Sequence, residues 1–554
     1  MLLNNIYMRT LSLHLSLIKL DVCLLTINEQ AVVPTQLVLI RLSLIESRQR
    51  TFIRSERENV ELRDFIRSRR RRETRQWVAI SCGLYIMILA GCIYGWYTVT
   101  IPQLKTGLSD SPIYITNDEL AWLVSMLVTG ISLGRFIGDI IIDTFGPKKG
   151  LILADLLFIF GWFTLIYGRE SQAAHVARGA HGTGIGIAYK AFPMYVLDVT
   201  DPYISNILNT LTIPSIVLGS LIISVIGYIV SYLTLTTSVL ILSLMFIPLI
   251  IFLPESPVFL AKNGDRTAAI KSISFFKDIL DPYESRRELE SLLHKRAENE
   301  NNSYRPKNSR CLNINRNTLW GKLRLLYLKN NIKATFIMFS ITVAQNFTGY
   351  YFIMQYLPIL LEAAGVKMNV NAMMIIIFSI AFLSALLSTA TAHIIKKRIR
   401  LIYCTIGCSY TFFIMALYFT FVNNNMPQIT MDILPVCFMS LLQVVYYLGL
   451  GSLSDILINE LFTPEIKNFA TLIIKTFGDL LDFFLTLIFC TIVDINFKID
   501  WIFYFLSICC LMSVIVMFFM PETKDMTHRQ IQKYLAQDSD SSDQENENIE
   551  EHVL

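Results

Sequence analysis

The chain has 554 residues, of which 53% are hydrophobic and only 17% charged, with a net charge of +4. That balance excludes an ordinary soluble protein, in which roughly 25% of residues are charged, and the small, dispersed positive charge implies no nucleic-acid partner. Repeated apolar runs long enough to cross about 30 Å of hydrocarbon as helix, without the alternation of membrane strands, predict an all-α membrane protein.

Residues 1–45 hold apolar islands, the best of them interrupted by His14, Lys19 and Asp21, and resemble neither a cleavable signal nor a spanning helix. Residues 46–75 are dense in charge and end in Arg69-Arg70-Arg71-Arg72, a positive flank that holds the N-terminus in the cytosol. Residues 1–75 are therefore expected to be a cytosolic tail. Six spans follow near 77–100, 119–142, 150–168, 175–197, 207–231 and 234–253, making an N-terminal half over 76–253. A hydrophilic stretch, 254–332, reads as a cytosolic linker with short amphipathic helices. Six more spans lie near 333–356, 371–393, 401–421, 432–458, 469–493 and 500–520, a C-terminal half over 333–520. The tail 521–554 turns Ser- and acid-rich after about Leu535 and is expected to be disordered. Basic residues gather in two short loops, Lys148-Lys149 and Lys396-Lys397-Arg398, which places both termini in the cytoplasm. The sequons at Asn301 and Asn346 fall in the linker and inside a span, so neither is expected to carry sugar.

One pattern occurs twice. Asp198 is followed by Pro202 and Asn206, and Glu460 by Pro464 and Asn468, each time between two apolar segments. An acid with Pro at +4 and Asn at +8 in both halves predicts a chain built from two related membrane units. The ten cysteines are scattered, mostly inside apolar runs and without CxxC pairs, so they read as small core residues rather than a disulfide framework or metal site. No nucleophile–base pair stands out, and neither a cofactor nor enzyme chemistry is expected.

Loop motifs accumulate in a fixed order. Gly138-Asp-Ile-Ile-Ile-Asp143-Thr-Phe-Gly146-Pro-Lys148-Lys149 joins spans two and three, and Arg178-Gly-Ala-His-Gly182-Thr-Gly184-Ile-Gly186 opens span four. Span six ends Pro254-Glu255-Ser256-Pro257 and span twelve Pro521-Glu522-Thr523-Lys524, while span seven carries Gln345-Asn346-Phe-Thr-Gly349-Tyr. Together these resemble the sugar-porter branch of the major facilitator superfamily over roughly residues 76–535, nearest to insect facilitated trehalose and hexose transporters. The resemblance implies a major facilitator fold, twelve transmembrane helices in two six-helix halves, carrying a small sugar across the plasma membrane by alternating access. Its partners are that sugar and the bilayer.

The resemblance also assigns roles. Asp143, Lys148, Lys149, Asp198, Glu255, Glu460 and Lys467 are expected to form an inner salt-bridge latch. Pro147, where the family usually has Arg, and Ser205 after the span-four acid predict a weaker latch. Substrate is expected at Gln345 and Asn346, with Tyr351, Asp455, Asp479 and Asp482 standing where relatives place amides and aromatics, and Ile213 replacing the span-five Gln. Lys475 and Asp479, spaced i,i+4, are expected to pair on one face that Asp482 shares. Lys190 is a further buried cation. Charges within membrane helices are costly and point to function. Two readings of this cluster stay open: a mutually neutralised patch in a carrier of neutral sugar, or a proton-responsive site for another polar substrate. Ile93, at the position where proton-linked relatives carry Asp, favours passive uniport, and a transport-deficient sugar sensor is the alternative from another class. Glycines 182, 184 and 186 predict close helix approach, and Pro193, Pro214 and Pro358 are expected to interrupt helices.

Overall fold

The computed structural model describes residues 70–105, 113–279, 281–301, 324, 326, 329–391, 394–421, 427–462, 464–494, 499–518, 520, 522, 526 and 530–531. Residues 1–69 of the predicted N-terminal tail, the end expected to be disordered and the second part of the linker lie outside the described residues. The described residues from Arg72 onward form one compact unit, and their regular structure is helical.

The N-terminal half comprises α1 (Arg70–Lys105), α2 (Asn117–Phe145), α3 (Pro147–Tyr167), α4 (Ser171–Val199), α5 (Pro202–Ile229) and α6 (Tyr232–Ile251). Three linker helices follow, α7 (Pro257–Lys262), α8 (Arg266–Lys277) and α9 (Pro282–Asn301). The seventh span is α10 (Lys329–Phe347), α11 (Tyr350–Gln355) and α12 (Leu357–Ala363), and the eighth and ninth are α13 (Val370–Thr391) and α14 (Lys397–Phe421). The tenth is α15 (Gln428–Leu448) with α16 (Leu450–Leu461), the eleventh α17 (Pro464–Asp494) and the twelfth α18 (Ile499–Phe518). All twelve sequence spans fall on these segments.

Among the described residues, eight of the spans hold an 18-residue window apolar enough to cross a membrane, and the twelfth is apolar over the shorter stretch Ile499–Ile515. Spans four, seven and eleven are more polar for visible reasons: Arg178, His181 and Lys190 in α4, a break in the seventh, and Lys475, Asp479 and Asp482 in α17.

Without a hydrophobic drive between helices in lipid, close approach depends on small residues. The α2–α4 seam is built that way. A methyl group at Gly134 would strike the Thr183 carbonyl, and one at Gly186 the Ile131 carbonyl. Gly182 faces Leu127 on the same seam, whereas Gly184 turns to α3, where its methyl would lie 2.7 Å from the Ala154 carbonyl.

Of the three prolines expected to interrupt helices, only Pro358 stands at a break, the one at Tyr356 between α11 and α12. Pro193 and Pro214 lie inside continuous α4 and α5, and Pro358 opens α12. The other interruptions fall at Gly349, whose φ of 62° is in the left-handed region that glycine tolerates, and at Gly449. Carbonyls freed by a break must be satisfied inside the protein. Ser452 Oγ donates to the Tyr447 carbonyl at 2.9 Å, Arg400 Nε to the Leu448 carbonyl, and Thr348 Oγ1 to the Gln345 carbonyl at 2.5 Å. At the start of α1, Arg72 donates to Asp201 at 2.6 and 2.7 Å, and Arg75 pairs with Asp278 beyond α8 at 3.0 Å.

If the glycine seam sets the helix spacing, Gly186→Val should destabilise by at least about 1–3 kcal/mol, the usual cost of overpacking. The thermal midpoint of the detergent-purified protein should fall, while a valine at Gly179, where an added Cβ meets nothing within 4 Å, should leave it nearly unchanged.

Candidate functional site

The two halves meet along α2–α17 and α5–α13. Ile213 and Val217 pack there against Ala381, Ala385 and Tyr447. Ile213 thus serves the apolar seam between the halves.

Between these seams the two broken spans hold one another. The Tyr350 and Tyr446 rings, each beside a break, stack at 3.7 Å and 4°. A hydroxyl has one proton and two lone pairs, so Tyr350 donates to Gln443 Oε1 at 2.9 Å and accepts from Tyr447 at 2.8 Å. Gln345 Nε2 donates to the Tyr446 hydroxyl at 3.2 Å. Asn346 Nδ2 donates to the Gly478 carbonyl at 2.7 Å, tying α10 to α17. Both predicted amides therefore stand in the central layer, each with one donor engaged. Tyr351 stands across from the N-terminal half, edge-on to Tyr94 at 6.3 Å.

The charges pair differently from their spacing. Asp479 is held by Arg135 of α2 and accepts from Ser132 at 2.8 Å, and both charged side chains are only 11% and 13% exposed. Lys475 instead pairs with Asp455 of α16 at 2.5 Å. The expected Lys475–Asp479 pair does not form, because each finds a closer partner on a neighbouring helix. Lys190 pairs with Asp139 of α2 at 3.0 Å and reaches the Asn468 carbonyl of α17 at 3.4 Å. The Asp482 carboxylate, half-buried, has neither ion-pair nor hydrogen-bond partner among the described residues. It lies within electrostatic range of Tyr351 and Tyr446.

At the end of the bundle away from the linker, Arg178 Nη2 donates to Gln355 at 3.2 Å and Thr98 Oγ1 to the Met354 carbonyl at 3.4 Å. Contacts between halves thus occur at three levels: Arg178–Gln355, Arg135–Asp479 and Lys190–Asn468.

Four of the predicted latch residues, Lys148, Asp198, Glu255 and Glu460, stand in two clusters, each within its own half and built alike. Glu255 Oε1 accepts from the Lys148 N–H at the start of α3 at 2.9 Å. Glu522 Oε1 accepts from the Lys397 N–H at the start of α14 at 3.1 Å. A carboxylate at a helix N-terminus is favoured by the helix dipole and the unpaired N–H groups there. Burial nonetheless pushes the Glu255 carboxyl above its ordinary range, against the N–H donors of Lys148 and Ser256. Asp198 accepts from Ser256, and Glu460 from Lys397. Lys148 Nζ donates to the Ile251 and Leu253 carbonyls at 3.1 and 2.5 Å, not to Asp143. Asp143, Lys149 and Lys467 enter no ion pair among the described residues.

Arg135 was not named from the sequence, and Arg178 only as the first residue of the span-four motif, with no site role. The available signal was an arginine inside a membrane span, the kind of residue that burial in hydrocarbon makes a functional candidate.

A two-half helical membrane carrier, with a polar layer between its halves, is the class that this fold and site define. The profile of the Sugar (and other) transporter family matches residues 83–535, and the chain belongs to that family. Among curated relatives, the facilitated trehalose transporter Tret1 of Bombyx mori is 21% identical over 425 residues, covering 77% of this chain and 81% of the relative. Tret1 of Polypedilum vanderplanki is 20% identical over 456 residues, covering 82% and 86%. The proton:xylose symporter XylE bound to 6-bromo-6-deoxy-D-glucose superposes with a TM-score of 0.63 at 18% identity, covering 82% of this chain and 99% of that one. XylE from E. coli in an inward-open conformation gives 0.63 at 17%, covering 84% and 99%. These structures share the fold.

Removing one partner of a buried ion pair costs about 3–5 kcal/mol, because the other charge is stranded. Arg135→Gln and Asp479→Asn should each lower thermal stability markedly, and the double variant should recover much of the loss. Strictly additive losses would show that the two side chains do not depend on each other.

Proposed function

We propose that this chain carries a sugar of the trehalose or hexose class across the plasma membrane, down its gradient, by alternating access. One observation carries the reading: polar groups of the two halves converge at mid-bundle, and contacts between the halves close over them on either side. In this reading the linker end faces the cytoplasm. Sugar is taken up by Gln345, Asn346 and Tyr351, whose remaining polar capacity faces the layer, with Asp482 as an acceptor for hydroxyl groups. Asp479 and Asp455 act differently, holding Arg135 and Lys475 in place.

Release requires α17 to part from α2 and α4, which breaks Lys190–Asn468 first and then loads Arg135–Asp479. The Glu255 and Glu522 clusters, each internal to one half, keep the helix ends of that half together as it rocks. No covalent chemistry is involved.

Radiolabelled uptake in oocytes, comparing trehalose, glucose and fructose at pH 5.5 and 8, tests this directly. Saturable uptake of at least one sugar, unchanged between the two pH values, is expected. Normal surface delivery without uptake of any of them would overturn the reading.

A further inference from the structure

Two buried polar groups stay unsatisfied between the halves: Nε and Nη1 of Arg178, and the hydroxyl of Tyr351. Arg178 is 1% exposed, and among the described residues no carboxylate pairs with it. Its guanidinium lies 3.9 Å from the Tyr97 ring centre, a cation–π contact that balances part of the charge but satisfies neither of the two donors. Tyr351 packs edge-on to Tyr94. Tyr94 and Tyr97 are three residues apart on α1 and so share one face of it. Arg178 and Tyr351 therefore sit beside neighbouring rings, within electrostatic range of each other, and no hydrogen bond joins them.

Buried donors left unmade are expensive, and most so on a charged group. An arrangement that leaves such donors in one half and an unpaired hydroxyl in the other, each beside one of two neighbouring rings of α1, is suited to a ligand oxygen that takes both. Asp479 and Asp482, in electrostatic range of the same Tyr351, disfavour an anion there and favour a neutral hydroxyl-bearing ligand.

We propose that Arg178 is a substrate ligand: a hydroxyl oxygen of the bound sugar accepts from Arg178 and hydrogen-bonds Tyr351, joining the N-terminal half to the C-terminal half. This rests on the sugar-carrier reading above. The same guanidinium holds Gln355 at the end of α11, so occupancy by sugar orients the group that fastens α11 over the site. Sugar binding and closure away from the linker end are then one event.

The test is competition by monodeoxy analogues, each lacking one hydroxyl, of whichever of trehalose, glucose and fructose the oocytes take up. Wild type should bind one analogue about tenfold more weakly than the parent, the usual discrimination for one lost buried hydrogen bond. Tyr351→Phe should raise KM for the parent by a similar factor, keep Vmax per surface transporter, and no longer distinguish that analogue. Arg178→Lys should lose discrimination at the same hydroxyl. If Arg178→Lys fails to reach the surface, Tyr351→Phe, which removes a single oxygen, still decides the matter. A deoxy profile unchanged in Tyr351→Phe would overturn the subsite and leave the carrier reading intact. Absence of saturable sugar uptake by wild type would remove the carrier reading, and the subsite with it.

Discussion

Charge inside hydrocarbon is the constraint on which the rest of this structure depends. A buried ion survives only with a partner or a path to water, and α17 carries Lys475, Asp479 and Asp482 in its middle turns. Asp479 finds Arg135 on α2, and Lys475 finds Asp455 on α16. The first pair crosses between the halves and the second stays within one. The eleventh span is therefore tied by one ion pair to each half, and it packs along α2 of the opposite one. A carrier needs that combination, since a helix that moves must also report whether the halves are together.

Alternation of two halves asks for rigidity in some seams and compliance in others. The glycine contacts of α2 with α4 bring backbones together so closely that one added methyl would collide; packed surfaces of that kind slide little. Breaks at Gly349 and Gly449 occur in the C-terminal half, with Tyr350 and Tyr446 stacked between them. The freed carbonyls there are satisfied by Ser452, Arg400 and Thr348 side chains rather than by the helix ladder. Side-chain bonds can be exchanged with less disturbance than ladder bonds. The adjustable part of the bundle is accordingly α11 and α16, and the N-terminal half supplies the frame.

The fold was legible because its signals are local. Apolar runs mark the spans, and the repeated Pro-Glu endings correspond to Glu255 and Glu522, which receive matching N–H groups at α3 and α14. The site was legible in part. Gln345, Asn346 and Tyr351 were found through motif resemblance and do stand in the central layer. Partner choice was not legible. Spacing within one helix suggested Lys475 with Asp479, but Arg135 lies 344 residues from Asp479, and no local pattern reveals such a contact. Proline marked a break only at Pro358; a helix packed among others can carry Pro193 and Pro214 without separating into two, and glycine makes the remaining breaks.

The distribution of unsatisfied groups distinguishes structural from functional polarity. Asp479, Lys475, Lys190 and Glu460 each hold a charged partner, so their burial is accounted for within the protein. Asp482, Arg178 and the Tyr351 hydroxyl are not accounted for in that way, and they come from both halves. If all three were only structural, the fold would carry the cost of their desolvation with no compensating bond in this state. A ligand rich in hydroxyl groups supplies donors to Asp482 and acceptors to Arg178 at once, because a hydroxyl does both. One neutral molecule can thereby satisfy an acid and a base that form no ion pair with each other. Its own presence then becomes the condition under which the two halves fit together best.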